Sequence, residues 1–500
     1  MNFNPNDLYG ILPALILSVG ALLLLVSEVF LRGMKPVQLG GAPGATGIAQ
    51  ARLTPSADAS PLPGEAAPDR RYQAWVAAAI AAAGLWAALS QFGDPTLSLF
   101  SGAAVSDGFA RVVAAVICAA LLLSCVVAYS YLEALRSTRG EFYALCAYLR
   151  RGKRPAEAAF KYYILGSFAS AIFLYGAALA FGATGSTRIA DVAAALRGSP
   201  APGAAALLLA SAALLTAGFA FKVAAVPFHM WVPDVYDGAP APVTGFMAAG
   251  VKAAAFAVLV RILVSGYGKP AGDAILVDWS PLIVWLAALT MLVGNLLAIP
   301  QRSVKRMLAY SSIAHAGYLL VAVASMYGGG SARADAIEGL LFYLAAYGAT
   351  VIGAFGVVAI IERRLAQSGL GDDLSSWSGL SERHPLLAAA MSLFMVSLAG
   401  VPPTAGFMAK LVVFRSAIEA NLAPLAIFGV LTSVAGLYYY LRVVVYVYMV
   451  PESKPDAVQG GRLLSAGLAI AGCALIVIWM GVQPGSFAAL TQTASAAFAR

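Results

Sequence analysis

Charge is scarce in this chain. Of 500 residues only 11% are Asp, Glu, Lys or Arg, while 60% are hydrophobic. Soluble domains carry about 25% charged residues, so a water-soluble globule is excluded. With a mean hydropathy of +0.81, the chain reads as an integral membrane protein. Cysteine is nearly absent too. Cys118, Cys125, Cys146 and Cys473 form no CxxC pair, and three lie inside apolar runs, as small packing residues do. Iron–sulfur spacing is missing, and three histidines cannot furnish a rich metal site. There is no GxxxxGK[ST] loop and no GxGxxG between a strand and a helix. Nothing in the chain is therefore expected to bind a nucleotide or carry electrons. The first ten residues, MNFNPNDLYG, hold Asp7 and no Lys or Arg. They lack the basic start of a secretory signal, so the first apolar run is expected to remain as a span. A net charge of +8 would suit nucleic acid, but basic cytoplasmic loops account for it better here, and no nucleic-acid partner is expected.

Apolar runs of about 20 residues recur along the chain, the length of a membrane-spanning helix rather than a barrel strand. Spans are expected at 9–31, 73–92, 109–132, 160–182, 203–228, 242–265, 279–299, 305–327, 336–361, 385–418, 422–449 and 463–482, about twelve in all. The run 385–418 is too long for one simple helix and is broken by Gly400, Pro402 and Pro403. Residues 33–72 are rich in Gly, Pro, Ala and Ser without apolar period, a flexible loop. The polar loop 362–384 carries Trp377, suited to packing on the membrane surface. With both termini outside, the inner loops hold Arg52, Arg70, Arg71, the cluster Arg136 to Arg154, Arg302, Arg363 and Arg364. The outer loops 93–108 and 419–421 hold no Lys or Arg, and 183–202 holds only Arg188 and Arg197. This asymmetry places both ends outside.

Ionisable groups at membrane depth are costly, which makes each a functional candidate. Lys222 lies in FAFKVAAVPF, five residues before Pro227, which removes a backbone donor and breaks the helix. Such breaks are tolerated where backbone lines a wet or protein-filled cavity. Near a span end Lys222 can also snorkel to the interface. Lys252, flanked by small and apolar residues including Ala248, Ala249 and Gly250, has no such escape. Lys410 follows Pro402 and Pro403 by about two turns. A proline break beside a lysine thus occurs twice, in reversed order, as inverted repeats of transporters place discontinuous helices and ion sites. His315 lies near mid-span after Tyr310, Ser311 and Ser312. Two readings stand for it: proton relay, and a hydrogen-bonded structural histidine. His229 and His384 read as interface and loop residues. Glu28 can pair with Arg32 at i+4, a structural role.

The segments FKVAAVPFHMWVPDVYDGAPAPVTGFMAAGVKAAAF, RMLAYSSIAHAGYLL and SLAGVPPTAGFMAKLVVF resemble the subunit N family of bacterial respiratory complex I, within the wider antiporter-like group that includes Mrp cation/proton antiporter subunits. The resemblance runs from about residue 105 to the last span. It implies an all-α polytopic fold with inverted repeats and two broken helices. It also implies a proton-translocating role in the membrane arm, coupled to electron transfer from NADH to quinone. NADH, FMN, iron–sulfur clusters and quinone are then expected in other subunits. The implied partners are the neighbouring membrane-arm subunits, the lipid bilayer, protons and water, in the bacterial inner membrane. Lys222 matches the family's lysine on the first broken helix, Lys252 the central lysine, and Lys410 the lysine on the second broken helix. On this reading 1–500 is one membrane domain, with the first repeat's remainder at 160–265, the second repeat at 279–449 and the last span at 463–482.

One stretch departs from the family. The apolar run Phe142 to Leu149, eight residues long, is too short to cross a bilayer. RGEFYAL resembles the start of the family's fourth helix, and YALCAYLRRGKRPAEAAFKYY the end of its fifth. Residues 139–163 therefore read as a joint from which about 40 residues, two spans, are missing, giving about twelve spans where the family has fourteen. The missing pair would carry a glutamate, the implied partner of Lys222. Glu133 and Glu141 lie in or beside the polar loop and do not replace it. A carboxylate favours the charged form of a buried amine and desolvation opposes it, so the first half-channel is expected to be impaired. Alternatives are a Mrp-like Na⁺/H⁺ antiporter subunit, a non-pumping scaffold, and a stand-alone solute carrier, for which no polar pocket is evident.

Overall fold

The computed structural model describes residues 5–31, 71–99, 104–134, 153–198, 202–268, 278–328, 330–368, 373–451 and 464–495. Most of the loop 33–72 and the joint through residue 152 lie outside them, as does Arg32, the proposed partner of Glu28. The helices run α1 Pro5–Gly10, α2 Leu12–Leu31, α3 Arg71–Ser90, α4 Gly108–Ala134, α5 Lys153–Thr184, α6 Ile189–Arg197, α7 Pro202–Val223, α8 Val232–Gly238 and α9 Ala241–Gly266. They continue as α10 Ser280–Ala298, α11 Val304–Ser325, α12 Gly330–Ser368, α13 Leu380–Arg383, α14 Pro385–Ala399, α15 Ala405–Glu419, α16 Ala423–Tyr448, α17 Leu464–Val482 and α18 Pro484–Ser495. Among the described residues nine helices are long and apolar enough to cross a membrane, and Leu12–Ala21, Trp75–Ser90 and Pro385–Ala399 are apolar but shorter. Apolar side chains surround these helices on all sides, as in spans or core helices rather than amphipathic surface helices.

The helices α11 and α12 form the centre of the bundle. About 94% of the apolar window of each is buried, against 17% for α5. Around α12 pack α4, α9, α11, α14, α15, α17 and α18, and α10 lies along α11. That last contact depends on small residues. A methyl group at Gly294 would come within 2.5 Å of the Ala314 backbone nitrogen, and one at Gly317 within 2.7 Å of Met291. Small residues permit such approach between apolar helices.

Two features extend the all-helical expectation. A short antiparallel ribbon, β1 Leu97–Leu99 and β2 Ala104–Ser106, precedes α4. Its base is held by Arg111, which donates to the carbonyls of Asp94, Pro95 and Ser106. Trp377 does not sit on the membrane surface. It is 1% exposed inside the fold, because its 3₁₀ turn Leu374–Trp377 packs against α16.

Candidate functional site

Both expected breaks are present, and they share one backbone plan. At the end of α7, Ala224 takes the left-handed conformation (φ 68°), and the N–H of Ala225 bonds to the carbonyl of Ala220 five residues back. At the end of α14, Gly400 does the same (φ 82°), and Val401 N–H bonds to the Val396 carbonyl. This is the Schellman termination. In each case a cis prolyl bond follows, Val226–Pro227 in the first break and Pro402–Pro403 in the second. Interrupted backbone needs other partners in an apolar bundle. Thr290 of α10 accepts from Val226 N–H at 2.9 Å, and Ser397 accepts from Gly406 N–H at 3.2 Å.

The second break supplies the cage for Lys410. Its Nζ donates to the carbonyls of Leu398 and Ala399, each at 2.9 Å, and to Ser433 Oγ at 2.7 Å. The carbonyls are available because α14 stops there. Three acceptors match the three N–H groups of an ammonium. Gly400 makes room: a methyl there would lie 2.9 Å from Lys410 Cδ. Lys410 is 6% exposed, and its Nζ stands 5.2 Å from the centre of the Tyr318 ring.

Lys252 is 2% exposed and follows a π-helical turn, Met247–Val251, in α9. Such widened turns often mark functional positions. Its Nζ donates to both the carbonyl and the hydroxyl of Ser312, at 2.6 Å each, and lies 5.1 Å from the centre of the Tyr347 ring. His315 sits one turn further along α11. Its Nδ1 is 2.7 Å from Tyr343 Oη and its Nε2 3.0 Å from Tyr440 Oη. Since each hydroxyl can donate or accept, this setting accommodates either tautomer and the imidazolium. Tyr440 also bonds Ser311. Tyr439 packs against Tyr440 with ring centres 4.3 Å apart and planes tilted by 49°, and donates to Asn295 Oδ1 at 3.0 Å. Asn295 Nδ2 donates in turn to Tyr318 Oη at 3.0 Å. Polar groups thus run from Lys252 past His315 to Lys410.

Lys222 stands apart from this set. It is exposed, and its Nζ donates to Tyr162 Oη at 3.3 Å, with the Tyr162 ring centre 5.4 Å away. No carboxylate among the described residues pairs with it. All three lysines therefore face a tyrosine ring, an arrangement favourable to a cation, but two are enclosed and one is open.

The tyrosines, Ser312, Ser433 and Asn295 join the site only through the packing of the helices. Asn295, an amide inside the apolar stretch MLVGNLLA, was the visible signal. Two partly buried ion pairs, with nothing in the local sequence to mark them, flank the site. Lys305 donates to Glu362 at 2.7 Å and to the Ala239 carbonyl at 2.8 Å. Arg261 makes a two-bond contact with Asp107, at 2.7 and 2.9 Å. They hold the two ends of the helix that carries Lys252. At the surface, Asp234 accepts from Lys161 at 2.6 Å and from Arg306 at 2.9 Å. Partial burial opposes its ionisation, yet those two bonds prevail and hold its carboxyl below the usual carboxylate range.

Residues 134–436 match the model of the NADH:quinone oxidoreductase/Mrp antiporter membrane family. Over 99% of both chains, the sequence is 42% identical to NADH-quinone oxidoreductase subunit N of Myxococcus xanthus. The chain belongs to the NADH-quinone oxidoreductase subunit N family. The alignment to that subunit N spans 555 positions, whereas this chain has 500 residues, so at least 55 aligned positions of the relative have no counterpart here. A chain of respiratory complex I from Thermus thermophilus superposes with a TM-score of 0.67 at 29% identity, covering 95% of this chain and 97% of that one. A chain of the Mrp complex of Dietzia gives 0.73 at 20% identity, covering 98% of each, a likeness of fold. The subunit N family is thus an antiporter-like, multi-pass bacterial membrane protein family, and this bundle with its two breaks has that fold.

Proposed function

We propose that this chain translocates protons in the membrane arm of an NADH:quinone oxidoreductase, as a subunit of a coupled H⁺-translocating enzyme that performs no redox chemistry itself. The observation that carries this reading is the buried polar run from Lys252 through His315 to Lys410 inside apolar helices. Charges at that depth are too costly for packing alone. Lys252 and Lys410 hold and pass the charge, and His315 relays between them. Pro227, Pro402 and Pro403 mark the breaks that free carbonyls and donors. NADH, FMN, iron–sulfur clusters and quinone belong to partner subunits. The loop charges support an inner-membrane orientation with both termini on the outer face.

The first half-channel is the weaker one in this reading. Lys222 lacks a carboxylate among the described residues and is exposed, as a missing helix pair at 139–163 would leave it. The fold likeness to the Mrp complex supports a Na⁺/H⁺ antiporter subunit as the second reading. Neighbouring genes separate the two: NADH-dehydrogenase subunits accompany the first, small antiporter subunits the second. The direct test is Lys252→Ala in the assembled complex, with NADH-driven acidification of vesicles as readout. Loss of coupled proton flux is expected; intact flux would leave the chain a scaffold.

A further inference from the structure

Lys410 has three hydrogen-bond partners, and they differ in one respect. The Leu398 and Ala399 oxygens are backbone carbonyls, which only accept. Ser433 Oγ, at 2.7 Å, both accepts and donates. A carbonyl can stabilise the ammonium but cannot hand it a proton. We propose that Ser433 is the hydroxyl through which Lys410 gains and loses its proton. This rests on the proton-translocating reading above and deepens it.

The surroundings are built for that task. Lys410 is enclosed, with the Tyr318 ring on one side and the broken end of α14 on another. Ser433 lies on α16 and is half-buried, one residue from Thr432. It bonds the enclosed lysine on one side, while its helix neighbours Leu431 and Val434 are exposed. The Tyr318 hydroxyl, which also faces Ser433 and Thr432, accepts from Asn295 Nδ2. The same design recurs at Lys252, whose Nζ meets a backbone carbonyl and a hydroxyl of Ser312. Two enclosed lysines on different helices thus each touch one reversible group, a serine.

The step balances with one water molecule as acceptor. An N–H bond of the Lys410 ammonium breaks as an O–H bond forms on Ser433. The original Ser433 proton passes to the water. The products are a neutral amine, a neutral hydroxyl and a hydronium ion. Recharging runs the same transfers backwards. Ser433 ends each step unchanged, as a relay must.

The test uses the intact complex in native membrane vesicles, reading NADH-driven proton flux, NADH oxidation, assembly and the solvent deuterium isotope effect on flux. Ser433→Ala should assemble and lose most flux through this subunit, with the transfer step slowed about 100-fold, the low end for positioned proton transfer. Ser433→Thr, which keeps the hydroxyl, should restore flux and the parental isotope effect. Ser416→Ala is the control, since the Ser416 hydroxyl donates to the Val413 carbonyl of its own helix and has no other partner among the described residues; it should leave flux unchanged. If Ser433→Ala does not assemble, Ser433→Cys decides, because a thiol fills the space but is a weak donor and acceptor. Parental flux in either Ser433→Ala or Ser433→Cys overturns the proposal, as does failure of Ser433→Thr to restore it. Lys410→Ala separates the two readings: if it also leaves flux intact, the pumping role itself fails.

Discussion

The two broken helices are built on one backbone plan and furnished differently. Each ends in a left-handed residue, a five-residue back-bond and a cis prolyl bond. The second break places Gly400 at the left-handed position and uses its freed carbonyls to enclose Lys410. The first places Ala224 there and leaves Lys222 exposed, with one long bond to Tyr162. Backbone geometry alone, then, does not make a buried charge site. The packed neighbours do, and among the described residues α5 is the least enclosed of the long apolar helices, with 17% of its apolar window buried. The helix α5 has many open apolar side chains, among them Phe160, Tyr163, Phe168 and Leu174. A missing helix pair would account for both the open lysine and the open helix.

Substitutions can break or sharpen this contrast. The largest effect is expected from Lys410→Ala. Proton flux in the assembled complex should fall by about 100-fold or more. The Leu398 and Ala399 carbonyls would also lose a partner, at about 1–3 kcal/mol for each buried group left unsatisfied. Lys222→Ala, measured in the same vesicles, should cost only a small fraction of that flux. Equal losses would erase the difference between the two breaks.

Next comes restoration of two spans at 139–163, including their glutamate. Flux should rise, and Lys222→Ala in that background should become damaging. No change in flux would sink the idea that the first half-channel lacks its carboxylate.

The left-handed positions give an opposed pair. Gly400→Ala puts a methyl group at φ 82° and against Lys410 Cδ, costing about 1–2 kcal/mol from backbone alone and displacing the ammonium. Ala224→Gly relieves the same backbone penalty at φ 68° and should stabilise by about 1 kcal/mol. Thermal unfolding in detergent reads both, and shifts of the same sign would refute the shared plan.

The smallest effect lies at Asp234, about one-third exposed. Its carboxyl is held below the usual range, so its stabilising contribution is present above the unfolded value of about 3.9 and is lost as pH falls through the lower folded value. Asp234→Asn should cost under about 1 kcal/mol near neutrality and make unfolding less dependent on pH below about 4. An unchanged acid slope would show that Lys161 and Arg306 contribute nothing there.

Much of the site could be read from residues one at a time. Lys252 and Lys410 stand out because an ionisable group within an apolar run is costly wherever the chain goes. Pro227, Pro402 and Pro403 mark breaks because proline lacks a donor in any fold. What could not be read were meetings between distant residues. Nothing local to Ser433 says that it faces Lys410, 23 residues away, and nothing in SSIAH says that Tyr343 and Tyr440 flank its imidazole. Trp377 was misplaced for the same reason: an aromatic in a polar loop suits a membrane surface and a protein interior equally, and only the packing of its turn against α16 chose the interior.

The sequence by itself determined that this is a bundle of apolar helices with two proline breaks and buried lysines. Those features follow from the cost of charge in hydrocarbon and from proline's missing N–H, which act at each residue independently. Tertiary structure decided which lysine is enclosed and which is open. Enclosure needs carbonyls, hydroxyls and rings from several helices to converge on one ammonium, and the convergence exists only once those helices are packed.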